Sequence, residues 1–286
     1  MENALAEMPL ALFSTLAPIG AGAFVILAIV SFASKLDDAK TRSMEKFSIV
    51  PMGFVLVGFI AAFFHLASPL HALGVFAGLG SSSLSNELAV GVAFFVLAAA
   101  YTGFAFCGKL GKARLPLLAA VGVAGIAFCV FVGLAYQMPT IPSWNTPIVP
   151  FEMVFLGLAG GAALVALGLS HHAAATDDGT QEKAFIVTVA CGFVGAIGSS
   201  ILTFVYLAVV GGISNAAVSG SMLVNEAMPW AVASAILLVA AAFACDIGRK
   251  RSRIASTWIA VFSSAIGILL ARMVFYGLEI STGLSF

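Results

Sequence analysis

Charged residues are scarce in this protein. Of its 286 residues only 9% are Asp, Glu, Lys or Arg, whereas 61% are hydrophobic. A soluble domain has about a quarter charged residues, because its surface must face water. The formal net charge is zero, which gives no general attraction for nucleic acid. The composition therefore excludes a soluble enzyme and a nucleic-acid-binding protein, and it indicates an integral membrane protein.

Cysteine pairs are missing as well, and no cleavable leader is expected. The cysteines Cys107, Cys129, Cys191 and Cys245 stand alone in or beside apolar runs, where small buried hydrophobic side chains are expected rather than disulfides or metal ligands. We therefore expect no iron–sulfur cluster and no metal site on this protein. Residues Met1–Glu7 carry two glutamates and no Lys or Arg, the reverse of a signal peptide's basic start.

Charge-poor runs of spanning length recur along the whole sequence. About 20 residues are needed to cross a bilayer as a helix, and eight runs meet that length or approach it. They lie near Pro9–Ser34, Phe47–Leu66, Leu88–Cys107, Leu115–Tyr136, Phe151–Ser170, Ala184–Val210, Pro229–Cys245 and Ser256–Tyr276. The predicted fold is an all-α, polytopic bundle of eight transmembrane helices in a single transmembrane domain.

The distribution of lysine and arginine supports this count. Twelve of the thirteen cations lie in the first, third, fifth and seventh connections between spans. Cytoplasmic connections carry an excess of Lys and Arg, and a wrong count would disturb the alternation. The sequence therefore predicts eight spans with both termini outside. The expected location is the bacterial inner membrane.

The connections predicted to lie outside are long but nearly uncharged. They cover residues 67–86, 137–150 and about 211–228. The second contains four prolines around Trp144, which predicts a rigid cap anchored at the interface by an aromatic side chain. Such connections fit a surface covered by another protein, or short interfacial segments.

A short repeated dipeptide suggests an internal duplication. Asn86–Glu87 opens the third predicted span and Asn225–Glu226 opens the seventh. Two parallel four-helix halves, about 1–145 and 146–286, would place these dipeptides at such a spacing.

The few polar residues near the predicted spans are the candidates for chemistry, because a charge inside a membrane is costly and usually functional. His65 ends span two and Glu87 begins span three, both on the outer side. Arg272 lies in the last span, one turn before Tyr276. Structural roles remain open, since a helix N-terminus favours glutamate and an arginine can extend to the interface. The same dipole argument covers Glu152 and Glu226.

A histidine beside a carboxylate at the membrane edge suits quinol oxidation. A quinol that loses two electrons also loses two protons and needs acceptors for them, and a neutral imidazole and a carboxylate can serve. Haem is disfavoured because only His65 lies near span depth, whereas bis-histidine ligation needs facing histidines. The inner pair His171 and His172 fits a solvated connection. A small-molecule transporter or a purely structural anchor remain alternatives.

Several segments resemble the membrane anchor subunit of bacterial dimethyl sulfoxide reductases, the DmsC family. The similar segments are His65–Pro69, Ser83–Glu87, Pro142–Trp144, Arg272–Leu278 and Thr282–Gly283. They occur in order between positions 65 and 283, so the resemblance covers most of the sequence.

The resemblance implies eight transmembrane helices with both ends outside and no haem or iron–sulfur cluster on this subunit. It implies that the protein oxidises menaquinol and passes electrons to a ferredoxin-like iron–sulfur subunit, which supplies a molybdopterin catalytic subunit. His65 and Glu87 match the family's quinol-site histidine and glutamate. Within the similar segments, Ser68, Asn86, Arg272 and Tyr276 are the further candidates for contacting the quinol. The resemblance does not determine the terminal electron acceptor, because the catalytic subunit selects it.

Overall fold

The computed structural model describes residues 5–34, 36–65, 74, 76–171, 179–215, 218–251 and 253–282, with the backbone alone described for His65. The described part of the protein is almost entirely helical. Its helices are α1 (Met8–Ala33), α2 (Asp38–Phe47), α3 (Ile49–His65), α4 (Ser83–Phe106), α5 (Arg114–Leu134), α6 (Ile148–His171), α7 (Gly179–Gly211), α8 (Gly220–Arg251) and α9 (Ile254–Gly277).

The predicted all-α membrane bundle is confirmed. Eight segments of the described residues are helical, long and apolar enough to cross a bilayer, and each corresponds to one predicted span. Successive spans alternate in direction, so α1, α4, α6 and α8 begin at the same end of the bundle. We call this the amino end and the opposite one the cationic end. The orientation of the two ends in the membrane stays a prediction.

Helix α8 is longer than the predicted seventh span. It begins at Gly220, and Pro229 lies inside it, so the connection predicted for residues 211–228 is shorter than expected. Polar residues such as Asn225 and Glu226 lower the hydropathy of the first turns, yet a helix can extend beyond the apolar layer. A proline is tolerated in a membrane helix where neighbouring groups satisfy the freed carbonyl.

Helix α2 is an additional element within a region predicted to be a connection. Asp37 caps it, because its side chain accepts a hydrogen bond from the Lys40 amide at 2.7 Å. A side-chain oxygen at this position satisfies one of the amides that a helix start leaves free. The helix is charged and buries only Met44, so it lies beside the bundle as a short amphipathic segment.

Helices α1 and α6 form the centre of the bundle, and glycines set their spacing. A Cβ atom at Gly22 would lie 1.8 Å from the Gly157 carbonyl oxygen, and one at Gly161 would lie 2.3 Å from the Ala23 amide nitrogen. The two backbones are therefore in direct contact, as small residues permit in membrane bundles. Helices α6 and α7 approach each other in the same way, because a Cβ atom at Gly195 of α7 would lie 2.4 Å from the Ala159 amide nitrogen of α6.

The connections at the amino end pack against the residues that follow α9. The Ile280 amide donates to Ser143 Oγ at 2.9 Å, and the Thr282 amide donates to the Thr140 carbonyl at 3.0 Å. The Asn215 side chain donates to the Ser281 carbonyl at 2.9 Å. This end of the bundle is therefore closed by a layer of hydrogen-bonded loops.

Candidate functional site

Arg272 is the centre of a polar cluster at the amino end. Its side chain has no exposed surface, although α9 is a membrane-spanning helix. Nε donates to Ser14 Oγ at 3.0 Å, which joins α9 to α1. Nη1 and Nη2 have no hydrogen-bond partner among the described residues. A buried guanidinium with two unsatisfied donor groups is unusual, because leaving a buried charged donor unpaired is costly.

Aromatic rings surround the guanidinium. Its Cζ atom lies 4.2 Å from the ring centroid of Phe275, 5.1 Å from that of Tyr276 and 5.6 Å from that of Tyr136. The quadrupole of such rings attracts a cation. The Tyr136 and Tyr276 hydroxyl oxygens are 2.5 Å apart, and the Tyr276 hydroxyl lies 3.2 Å from Ser14 Oγ. The rings therefore stabilise the charge by cation–π contacts.

Trp144 completes this packing, which corrects the predicted interfacial anchor. The side chain is buried, stacks on Phe275 with ring centroids 5.3 Å apart, and donates from Nε1 to the Phe275 carbonyl at 3.2 Å. The proline-rich connection therefore covers the arginine site from the amino end, and Trp144 anchors it to the protein. Glu279 follows α9 in the sequence, and the pKa of its carboxyl is raised by partial burial and by the charge of Glu7.

Two buried glutamates lie within electrostatic range of Arg272. Glu87 of α4 is 7% exposed and Glu152 of α6 is 3% exposed, and both interact with the guanidinium. Neither carboxylate is hydrogen-bonded to Nη1 or Nη2. Oε1 of Glu152 instead accepts a hydrogen bond from Thr203 Oγ1 of α7 at 2.6 Å. The cluster thus combines one cation and two carboxylates without direct ion pairs among the described side chains.

Flat aromatic rings lie one helical turn from Glu87. Residues four apart share a helix face, and Gly91 follows Glu87 at that distance. A Cβ atom at Gly91 would come within 3.1 to 3.3 Å of the Phe59 and Phe128 rings. These rings are stacked with centroids 5.7 Å apart. The absence of a side chain at Gly91 therefore lets both rings pack directly against α4, one turn from Glu87.

The structure brings together only part of the predicted site. Glu87, Arg272 and Tyr276 share the buried cluster. His65 is the last residue of α3, at the same end of the bundle, and only its backbone is described. Ser68 lies outside the described residues.

Asn86 has a local structural contact instead. Its Oδ1 accepts a hydrogen bond at 2.8 Å from the amide of Gly80, whose φ of +81° favours glycine. The amide oxygen of Asn86 is therefore engaged in the turn before α4.

Several members of the cluster were not predicted from the sequence: Ser14, Tyr136, Thr203 and Tyr206. Each is a hydroxyl-bearing residue near the end of an apolar span that faces the amino end of the bundle, which is the signal that could have identified them. For Glu152 the sequence suggested only the helix dipole. Its hydrogen bond to α7 shows a contact between helices that the dipole does not require.

The cationic end contains different polar contacts. Arg114 and Glu45 form an ion pair at 3.6 Å, beside a cavity of about 250 Å³ that Tyr101 also lines. Arg249 pairs with Asp246 at 2.6 Å and with Glu182. His171 is exposed at the end of α6, and His172 lies outside the described residues. Among the residues that the structure describes, no group of three His, Cys, Asp or Glu side chains is placed to hold a metal.

The cysteines follow the expectation in part. All four are free thiols; Cys129 and Cys245 are buried, Cys191 is half-buried and Cys107 is exposed. Exposure of Cys107 at the end of α4 is the exception to the predicted burial.

Comparison with known proteins identifies the family. A family model described as DMSO reductase anchor subunit (DmsC) matches residues 1–278. The protein is 30% identical to the anaerobic dimethyl sulfoxide reductase subunit YnfH of Escherichia coli K12, with 100% of the present sequence and 99% of that protein covered. It is 26% identical to a second anaerobic dimethyl sulfoxide reductase subunit of the same organism, over 98% of the present sequence and 97% of that protein. With nearly its whole length matched, this multi-pass membrane protein belongs to the family of dimethyl sulfoxide reductase anchor subunits.

Proposed function

We propose that this protein anchors a molybdopterin oxidoreductase complex in the bacterial inner membrane and oxidises menaquinol at the amino end of its bundle. Electrons pass one at a time to a ferredoxin-like iron–sulfur subunit and then to the molybdopterin catalytic subunit. Menaquinol is the substrate of this subunit, which carries no haem or iron–sulfur cluster of its own. The amino end faces outside, because the opposite connections carry the cations.

The unsatisfied guanidinium of Arg272 is the observation that carries this proposal. Nη1 and Nη2 are buried donors without a partner in the described structure, and a quinone or quinol oxygen is an acceptor that can enter an apolar site without bringing a charge. As a quinol hydroxyl loses its proton, negative charge develops on the oxygen. A fixed cation at that oxygen stabilises the developing charge, because the site excludes water.

Glu87 and His65 are the proposed proton acceptors for one hydroxyl of the quinol: Glu87 takes the proton from the hydroxyl, and His65 receives it from Glu87. Glu87 is buried and within electrostatic range of Arg272, so a quinol held by the guanidinium lies near a carboxylate. Proton transfer to a positioned base contributes typically 10²- to 10⁴-fold to a rate. His65 ends α3 at the same end of the bundle and suits transfer of the proton to outside water.

A purely structural anchor is the second candidate, and it has an observation of its own. Arg272 packs among three aromatic rings and bonds to Ser14, so the residue could serve only to join α1 and α9. The two candidates differ in electron flow. A structural anchor tethers the soluble subunits without oxidising quinol.

Paired turnover assays on the same membranes distinguish the candidates. Quinol-dependent reduction of dimethyl sulfoxide requires the anchor's site, whereas reduction driven by a soluble dye bypasses it. We expect Glu87→Gln and His65→Gln to lose quinol-dependent turnover about 10²-fold and to keep dye-dependent turnover. Glu226→Gln is the matched control, because Glu226 also lies near a helix start at this end but is exposed.

The outcome that contradicts the proposal is equally clear. Wild-type quinol-dependent turnover in both Glu87→Gln and His65→Gln would exclude this site, and absence of any quinol-dependent turnover in the wild-type complex would leave the structural anchor.

A further inference from the structure

We infer that Glu152 is a second proton acceptor of this site, serving the quinol hydroxyl opposite to the one served by Glu87. The inference rests on the proposed quinol oxidation and adds a residue to it. The two hydroxyls of a 1,4-quinol lie on opposite sides of its ring. One carboxylate therefore cannot contact both, and a second acceptor is needed on the other side.

The positions of the two glutamates suit this division. Glu87 lies on α4 and Glu152 on α6, and these helices are not among the pairs that pack extensively in the described structure. Both carboxylates nevertheless interact with the Arg272 guanidinium. The two carboxylates therefore lie within electrostatic range of one cation, on helices that do not pack extensively on each other, as acceptors on two sides of a ligand would.

Thr203 is placed to satisfy Glu152 in either protonation state. Its Oγ1 lies 2.6 Å from Glu152 Oε1 and 3.0 Å from the Ser199 carbonyl oxygen. A hydroxyl has one proton and can also accept. When Glu152 is ionised, Thr203 donates to the carboxylate. When Glu152 is protonated, the acid donates to Thr203, which donates to Ser199. Glu152 can thus gain and lose a proton without leaving a buried polar group unpaired at this contact.

Unpartnered polar atoms next to Glu152 indicate where a substrate oxygen would lie. Tyr206 follows Thr203 by three residues on α7, and its buried hydroxyl has no partner among the described residues. It interacts electrostatically with Glu152 and Arg272. The Tyr206 hydroxyl is thus a donor without an acceptor in the described structure, and the quinol oxygen served by Glu152 would accept from it.

The chemical step is balanced by the proposed assembly. The second O–H bond of the quinol breaks, the proton forms a bond with a carboxylate oxygen of Glu152, and the electron leaves to the iron–sulfur subunit. With the first proton accepted by Glu87 and the first electron transferred in the same way, menaquinol becomes menaquinone. Each glutamate returns its proton to outside water before the next turnover.

The test is Glu152→Gln in the complete complex in membranes. Quinol-dependent turnover should fall on the order of 10²-fold through kcat, with KM and dye-dependent turnover near wild type. The remaining quinol oxidation should rise with pH more steeply than in the wild type, because solvent must accept the proton. The groups facing Glu152 in the described structure are Arg272 on α9 and Tyr206 on α7, and both are retained. A merely structural role would not produce this pH profile.

Two further variants decide the remaining cases. Glu226→Gln is the matched control and should behave as wild type. Loss of dye-dependent turnover would show that Glu152→Gln does not assemble. In that case Thr203→Val is the test, because it keeps the carboxylate of Glu152 and should lower the kcat of quinol oxidation several-fold. Wild-type quinol-dependent turnover in Glu152→Gln overturns the inference. If Glu152→Gln does not assemble, wild-type quinol-dependent turnover in Thr203→Val overturns it instead. Loss of that turnover in Glu87→Gln, measured in parallel, shows that quinol oxidation at this site still holds.

Discussion

At the scale of single residues, Arg272 shows how a charge can be stable within a membrane span. Placing an arginine at the centre of a span costs roughly 2.5–3.5 kcal/mol on insertion scales. Here the guanidinium faces protein, and three aromatic rings and Ser14 surround it. Cation–π contacts contribute about 0.5–2 kcal/mol each, which is enough to offset that cost. The Nη groups remain available for a ligand.

Replacing Arg272 by glutamine separates the ligand role from the structural one. Arg272→Gln removes the charge that stabilises a developing quinolate, so we expect quinol-dependent turnover to fall on the order of 10²- to 10³-fold. Dye-dependent turnover measures assembly. Ser14→Ala is the control: it removes the contact to Nε and leaves Nη1 and Nη2, so its effect should be much smaller. Equal turnover in Arg272→Gln and wild type would mean that the arginine only joins helices.

The cluster residues that residue type alone could predict were the charged ones, whereas Tyr276 was predicted from the family resemblance. Arg272 and Glu87 were identifiable because ionised groups are rare in spans. Ser14, Tyr136 and Tyr206 were not, because hydroxyl residues occur in many spans and only the packing of α1, α5 and α7 shows which of them meet. The role of Glu152 depended on a contact with α7, which no pattern within α6 reveals.

At the scale of helices, the crossing of α1 and α6 is the contact that fixes the bundle. Gly22, Gly157 and Gly161 remove side chains where the two backbones meet. Ser14 lies on α1 and Glu152 lies on α6, so the crossing also determines the distance between these two residues of the site.

Substituting alanine for Gly161 tests this contact. The added Cβ atom would lie 2.3 Å from backbone atoms of α1, so the helices must separate, and overpacking of this kind costs typically about 1–3 kcal/mol. We expect a lower unfolding temperature of the detergent-solubilised complex. Gly103→Ala is the matched control in α4, because nothing lies within 4 Å of a Cβ there. Equal unfolding temperatures for the two variants would show that α1 and α6 can adjust freely.

The number of membrane spans could be predicted from the sequence, whereas the helix ends and the additional helix α2 could not. Hydropathy identifies a span because about 20 apolar residues must cross the lipid, and this signal is present in all eight spans. It does not locate the ends, because turns beyond the lipid can be polar. For that reason hydropathy puts the start of α8 too late and does not distinguish the charged helix α2 from a connection.

At the scale of the whole molecule, the cations form an asymmetric distribution that predicts orientation. The connections at one end contain twelve of the thirteen lysines and arginines, and this end is expected to lie in the cytoplasm. In that orientation the buried arginine site lies toward the outer end of the bundle, where protons released in the proposed quinol oxidation can reach water outside the cell.

Cysteine labelling in intact cells measures this orientation. In a background with Cys107→Ser, which removes an exposed native thiol, a cysteine introduced at the exposed position Asn145 or near Asn215 should react with a membrane-impermeant reagent. A cysteine at Arg251 should react only after the cells are permeabilised. The reverse pattern would place the site on the cytoplasmic side.

The central claim is that menaquinol binds at Arg272, at the amino end of the bundle. Photocrosslinking with an aryl-azide menaquinone analogue in membranes containing the whole complex measures this directly, with labelled peptides located by mass spectrometry and excess menaquinone as competitor. Competed labels should fall near Ser14, Glu87, Tyr136 and Arg272. Competed labels confined to the cationic end, at the cavity lined by Tyr101 and Arg114, would contradict the account.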